Sequence, residues 1–213
     1  MNHEFDKNYW ESHWDGTHGS SGLPAHPALS AELTDLRPGT AIDAGSGEGA
    51  EATWLAAHGW AVTAVDISAH AVTRAAASTS LGTGGGSVTW IEADLTEWEP
   101  DQSVDLVTTF YAHPTMPQLA FYKRISEWVA PHGTLLIVGH CHHGSHSDGH
   151  MHPENAVATP EQVRNLLDPG EWVVHTAEIR ERVVRPHGDA PVALADVIIR
   201  AQRRPAPSPT GDR

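Results

Sequence analysis

Two rhythms alternate along the first two thirds of this chain. Short apolar runs at Thr40–Ala44, Ala61–Asp66 and residues 88–92, 104–109 and 133–139 have strand length, and helical spacing fills most of the gaps between them. Residues 50–58 are alanine-rich and stop at Gly59, and Ala69–Ser78 follows Ser68 as an expected N-cap. Pro117 sits where a first helical turn tolerates it and opens an amphipathic helix to about Val129. Strands alternating with helices in this way predict an α/β, Rossmann-like, doubly wound and mostly parallel sheet covered by helices on both faces.

The last third breaks the rhythm. Thr159-Pro160-Glu161-Gln162 reads as a capping box that starts a helix to about Leu167. Residues 172–179 and 194–201 then flank a charged connection holding Pro186 and Gly188, which is a hairpin pattern. Seven strands are therefore expected, with the hairpin placing an antiparallel strand at one edge.

Upstream of the first strand, Phe5, Tyr9, Trp10 and Trp14 recur at a helical spacing of roughly four residues within a polar segment. A disordered tail has no use for such aromatics, so a short helix docking as a lid is expected. A second helix over 27–36 would carry Leu29, Leu33 and Leu36 on one face. The expected organisation is an N-terminal helical lid over 1–36, a ligand-binding domain over 37–204 and a disordered tail over 205–213. Within that domain, 140–158 is a long polar loop on the active face, rich in histidine and glycine.

Composition narrows the possibilities. The 213 residues, 39% of them hydrophobic, suit one globular domain. Lys plus Arg number 13 against 27 Asp plus Glu, a formal charge of -14, which repels phosphate backbones and anionic headgroups. Neither nucleic acid nor a membrane is the expected partner, and a cytoplasmic location is expected. No apolar stretch approaches the roughly 18 residues of a spanning helix. One cysteine, Cys141, closes no internal disulfide and builds no thiolate-rich metal knuckle.

Candidate chemistry gathers at the predicted strand ends. Asp43-x-Gly45-x-Gly47-x-Gly49 closes the first strand, where glycine lets the backbone turn sharply and approach a ligand. The same fragment satisfies the dinucleotide pattern as Gly45-x-Gly47-x-x-Ala50, so a nicotinamide-dependent oxidoreductase stays in contention. Asp43 would face a pyrophosphate unfavourably, yet it suits a ligand bearing an ammonium and a sulfonium. Asp66 ends the second strand, where an acid accepts ribose hydroxyls. Asp94 ends the third, where it can accept from an adenine amine while Leu95 packs on the ring. Acids at three successive strand ends match what S-adenosylmethionine offers.

These residues resemble class I S-adenosylmethionine-dependent methyltransferases. Within that class, Tyr9-Trp10-Glu11 with Trp14, Leu23-Pro24-x-x-Pro27, the run from Ala41 to Gly49, and Gly139-His140 followed by His152-Pro153 are similar to the small tellurite-resistance and thiopurine-methyltransferase-like group. The resemblance implies that Asp43, Gly45 and Gly47, with Ser46 where many relatives have cysteine, line the methionine and ribose side of the cofactor. It implies Asp66 and Ile67 at the ribose and adenine, Asp94 and Leu95 at the adenine, and Tyr9 and Trp14 closing over the top, with Phe110 completing the set.

Methyl transfer from a sulfonium needs alignment and, for a weak nucleophile, a base. The fourth strand ends in Phe110-Tyr111-Ala112-His113, beside the expected methyl group. His113 is the candidate base, Tyr111 shapes the acceptor pocket and His140 is the second candidate base. Between His140 and His152 six histidines fall within thirteen residues, but glycines and serines leave no ligand geometry fixed, and no metal site is expected. Four readings stand in order: a methyltransferase acting on a nitrogen, oxygen, sulfur or chalcogen atom of a small molecule; an enzyme using S-adenosylmethionine for another reaction; an NAD-dependent oxidoreductase; and a metal-binding protein built on the histidine loop.

Overall fold

The computed structural model describes residues 5–15, 24–79, 85–141, 157–184 and 192–205. The tail beyond Pro205, the connection holding Pro186 and Gly188, Leu23, and the histidines from His142 to His152 lie outside them.

The helices α1 (Lys7–Asp15) and α2 (Ala28–Leu33) precede β1 (Thr40–Ala44), α3 (Ala50–Ala57), β2 (Ala61–Asp66), α4 (Ala69–Ser78) and β3 (Ser87–Glu92). Then follow β4 (Val104–Phe110), α5 (Gln118–Ser126), β5 (Val129–His140), α6 (Pro160–Leu166), β6 (Trp172–Val184) and β7 (Val192–Arg203). The strands form one seven-stranded sheet in the order β3-β2-β1-β4-β5-β7-β6, with β3 through β5 all parallel.

Alternation along the central strands explains why they read as unbroken apolar runs. Ile42, Val65, Val107, Leu135, Ile137 and Ile199 pack with Phe121 and Ile125 of α5 and Val163 of α6 in one core cluster. Their neighbours Ala41, Ala64, Leu106, Leu136, Val138 and Ile198 pack with Leu29, Leu33, Ala52 and Leu55 in the other. A strand with a core on each face keeps few polar positions, and those it keeps, such as Asp43 and Thr108, are hydrogen-bonded to each other. Through Leu29 and Leu33, α2 belongs to that second core, whereas α1 buries no residue. Trp60, Trp128 and Trp172 are buried, and Trp54 and Trp90 pack at the rim of the second cluster.

Both cap expectations hold. Ser68 Oγ accepts from the backbone of Ala71, and Thr159 with Gln162 forms a complete capping box. The boundary between α5 and β5 differs from expectation, and β6 and β7 run longer than expected, to Val184 and over Val192–Arg203. The helix opened by Pro117 ends at Ser126, because Val129 is fully buried and already pairs with Val104 as the start of β5. An irregular register follows, with His132 at φ 67, before Leu106 pairs with Thr134. A glycine-flanked kink inside the strand therefore imitates a turn in the sequence.

The expected antiparallel hairpin closes one edge of the sheet. The antiparallel strand β7 is inserted between β5 and β6, and β6 takes the edge. The residue chemistry accounts for this order. Val197, Ile198 and Ile199 are apolar on both faces and need neighbours on both sides, whereas Glu178 and Glu181 of β6 are exposed, as charged residues on an edge should be.

Candidate active site

A cavity of about 1390 Å³ opens over the ends of β1, β2, β4 and β5. The glycine turn after β1 forms part of its wall. Gly45, Gly47 and Gly49 sit at φ 82, 50 and 78, in the left-handed region where a side chain is strained. A Cβ on Gly45 would stand 2.3 Å from that of Ala112, and one on Gly47 would press against the Trp14 ring at 3.0 Å. The turn thus brings β1 against the loop after β4 and lets the α1 indole lie on bare backbone.

Asp66 is braced by the same turn. Its Oδ2 accepts from Gly47 N at 2.8 Å and its Oδ1 from Ser68 N at 2.9 Å. Burial pushes its carboxyl above the usual range, against the pull of those backbone donors. Asp94 Oδ1 accepts from both the backbone and the hydroxyl of Thr96, and Ile67 and Leu95 lie beside it. Among the expected cofactor residues, Tyr9, Trp14, Gly45, Ser46, Gly47, Asp66, Ile67, Asp94, Leu95 and Phe110 all line this one cavity.

Asp43 does not. The alternation of β1 turns its carboxylate away from the cavity and under the first turn of α3, where it is 1% exposed. Oδ1 accepts from Thr108 Oγ1 at 2.8 Å, and the backbone of Ala52 at the start of α3 also faces the carboxyl. Burial, with the Glu51 carboxyl next in effect, pushes Asp43 up to about 8. The carboxyl that reaches the wall at this end is Glu51, which accepts from His26 N at 3.0 Å.

The other half of the cavity lies over β4, β5, β7 and β6. Tyr111 follows β4 at φ 54 and donates its hydroxyl to Asp196 Oδ1 at 2.6 Å. Asp196 Oδ2 accepts from Arg182 Nε at 2.5 Å and pairs with His26 Nε2 at 3.1 Å. His26 Nδ1 accepts from Ala28 N, which leaves Nε2 as the protonated nitrogen. Burial alone would raise Asp196; the donors His26, Tyr111 and Arg182 outweigh it and hold the carboxyl down to about 2. Burial and then Asp196 push the Tyr111 hydroxyl well above its ordinary value, so it serves as a donor and not as a base.

His113 is buried, its ring stacked between Phe5 at 5.3 Å and His140 at 5.4 Å. His140 in turn lies 4.6 Å from the Tyr111 ring. Gln118 donates to Ala112 O, which aims its Oε1 at His113 Nδ1, 3.1 Å away. That partner places the ring proton on Nδ1 and the lone pair on Nε2, the arrangement a general base requires.

The helix α1 covers the cavity from above through Tyr9, Trp10 and Trp14. Trp10 Nε1 donates to His113 O at 3.2 Å, and Lys7 pairs with Glu92. Glu11 accepts from Ser68 Oγ at 2.9 Å and from the backbone of Ala69 at 3.0 Å and His70 at 3.3 Å, adding a carboxylate to the N-terminus of α4. Burial raises the Glu11 carboxyl, but these donors outweigh it and leave it below the usual range.

Asp196, Arg182, His26 and Glu51 were not legible as site residues. One signal was present: Asp196 is an acid inside the apolar run Leu194 to Ile199, where only a partnered charge is tolerated. Among the described residues no group of three or more His, Cys, Asp or Glu side chains is placed to hold a metal ion.

Comparison with known proteins agrees with this geometry. Residues 41–133 match the family model described as a methyltransferase domain. A ribosomal RNA small subunit methyltransferase C from Alcanivorax borkumensis is 45% identical over 74 residues, and that match covers 34% of this chain but only 22% of the relative's length. A structure reported for the conversion of a disulfide bond into a thioacetal group during echinomycin biosynthesis superposes with TM-score 0.68 at 22% identity, covering 96% of this chain and 92% of the other. Magnesium protoporphyrin IX methyltransferase from Synechocystis, solved with S-adenosylmethionine bound, superposes with TM-score 0.59 at 17% identity, covering 95% of this chain and all of the other. With the sheet order and the glycine turn already described, these likenesses identify the architecture: the chain has the class I S-adenosylmethionine-dependent methyltransferase fold.

Proposed function

We propose that this chain is an S-adenosylmethionine-dependent methyltransferase whose acceptor is a small molecule methylated on nitrogen, oxygen, sulfur or a heavier chalcogen. One observation carries the reading: a single cavity holds the bare glycine turn with Asp66 and Asp94 at one end, and Tyr111, His113 and His140 at the other. Its 1390 Å³ exceeds the roughly 300–1,000 Å³ of a one-ligand pocket, which leaves room for a donor and an acceptor together.

The residues present suit the cofactor. Gly45 and Gly47 leave bare backbone on the cavity wall, held close to Ala112 and the Trp14 ring, and the acids Asp66 and Asp94 on the same wall suit a cationic nucleoside better than a pyrophosphate. When bound, S-adenosylmethionine supplies an electrophilic methyl group on a sulfonium that leaves as a neutral thioether. Asp66 would take the ribose hydroxyls and Asp94 the adenine amine, with Ile67 and Leu95 on the ring. Tyr9 and Trp14 would cover the donor and exclude water, so that α1 acts as a lid. His113, its lone pair set on Nε2, would remove a proton from an acceptor that carries one.

A net charge of -14 supports a small acceptor over a nucleic acid. The finer placement beside the tellurite-resistance and thiopurine-methyltransferase-like group rests on Tyr9-Trp10-Glu11, Trp14 and Gly139-His140.

Calorimetry with S-adenosylmethionine, NAD and zinc in parallel tests the reading. Binding of the first is expected; binding of NAD with none of S-adenosylmethionine would reject it. Asp66→Ala should abolish cofactor binding. His113→Ala should keep binding and lose turnover of any acceptor found by incubating a metabolite extract with isotopically labelled donor; unchanged turnover would remove His113 as the base.

A further inference from the structure

Resting on that methyl-transfer reading, we propose that Arg182 anchors the acceptor, and that the acceptor is an uncharged molecule joining a flat apolar body to a carbonyl-type oxygen. The sheet order divides the cavity. Asp94, Asp66 and the glycine turn stand over β3, β2 and β1, whereas Tyr111, His140, Asp196 and Arg182 stand over β4, β5, β7 and β6.

The second half is a continuous wall. Arg182 Nη2 donates to Tyr111 Oη at 3.1 Å, the Tyr111 ring lies 4.6 Å from His140, and His140 stacks on His113 at 5.4 Å, which stacks on Phe5 at 5.3 Å. Rings along one side and a guanidinium at the far end select a flat body with a polar tip.

The guanidinium is held from behind. Its Nε–H goes to Asp196 and an Nη2–H to Tyr111, and its remaining N–H groups meet no acceptor among the described residues although Arg182 lines the cavity. This geometry orients an Arg as a fixed donor while Asp196, 3% exposed, cancels its charge. The wall's other guanidinium, Arg74, already pairs with Glu48 at 3.0 Å, and the carboxyls of Glu51, Asp66 and Asp94 line the same cavity. A carboxylate acceptor would therefore find no uncompensated cation on this wall among the described residues, whereas a neutral carbonyl oxygen needs only the hydrogen bonds that Arg182 can still donate.

The test uses the whole chain saturated with S-adenosylhomocysteine and three probes of one shape: acetophenone, benzoate and ethylbenzene, titrated by saturation-transfer NMR. Acetophenone is expected to bind at least about tenfold more tightly than either of the others, the difference one hydrogen bond to a charged donor makes. Arg182→Met should bring acetophenone to the ethylbenzene level and leave S-adenosylhomocysteine affinity as it was. Arg182→Lys, which keeps a cation beside Asp196 but loses the forked donor set, should do the same if the Met variant fails to fold.

Benzoate binding as tightly as acetophenone would overturn the neutral acceptor, and acetophenone binding no tighter than ethylbenzene would overturn the anchor. A parallel loss of S-adenosylhomocysteine in either Arg182 variant would assign the guanidinium to the cofactor instead. If the wild-type chain binds no S-adenosylhomocysteine, the methyltransferase reading falls first and takes this one with it.

Discussion

At the scale of single residues, backbone shape and buried charge decide what the site tolerates. Gly45→Ala forces a left-handed residue to carry a Cβ and drives it into Ala112, so a loss of about 2–4 kcal/mol in urea denaturation is expected, together with loss of cofactor binding. A loss under about 1 kcal/mol with binding intact would show that the turn is not held as described.

Asp43, Glu51 and Asp66 are all raised, with burial the leading cause. A carboxyl raised in the fold keeps its proton where the unfolded chain has released it. Its stabilising contribution is complete below the unfolded value and disappears as pH climbs through the folded one. Stability should accordingly decline between about pH 4 and about 8, the value to which Asp43 is pushed, and Asp43→Asn should flatten that decline. Asp196 works in the opposite sense: lowered to about 2, it withdraws stability only as pH falls from near 4. An Asn variant with the wild-type slope in denaturation across pH 5–8 would show that Asp43 is ionised in the fold.

The glycines could be read from the chain because their chemistry is local. Asp196, Arg182 and His26 could not, since 170 positions separate His26 from Asp196 and only the completed sheet brings them together.

At the scale of elements, the helices and strands followed from periodicity, and the exceptions have a common cause. The kink at His132 and the early start of β5 depend on pairing with Val104, which no local pattern encodes. The aromatic spacing in residues 5–14 predicted α1, but its attachment comes from Glu11, an acid whose partners lie 57 to 59 positions away. Because no residue of α1 is fully buried, that cap, with the Trp10 and Lys7 contacts, carries much of its docking.

Glu11→Ala should weaken the attachment by about 1–2 kcal/mol, the range for a lost cap and dipole contact. Hydrogen exchange should then show faster exchange in α1 while β4 and β5 keep their protection. Uniform acceleration across the sheet would mean that Glu11 supports the core instead of α1.

At the scale of the whole molecule, the doubly wound plan was visible because both cores draw on one alternation, with Leu135 and Ile137 on one face and Leu136 and Val138 on the other. The insertion of β7 beside β5 was hidden, since a hairpin pattern says which strands pair and not which of them is outermost. Charge also acts at this scale. A field from -14 net charges draws in a donor whose overall charge is positive, so the association rate of S-adenosylmethionine in stopped flow should fall as salt rises from 20 to about 500 mM, well past the point where the Debye length drops below ~10 Å. A rate indifferent to salt would place the acids outside the approach path.

The position of β7 has one more consequence. The residues proposed to hold the nucleoside are complete by the end of β4, whereas Arg182, the proposed acceptor anchor, and Asp196 behind it arrive on the final two strands. On that proposal, rewriting the closing ribbon would redirect the chain toward a new clientele and leave its handling of the methyl source untouched.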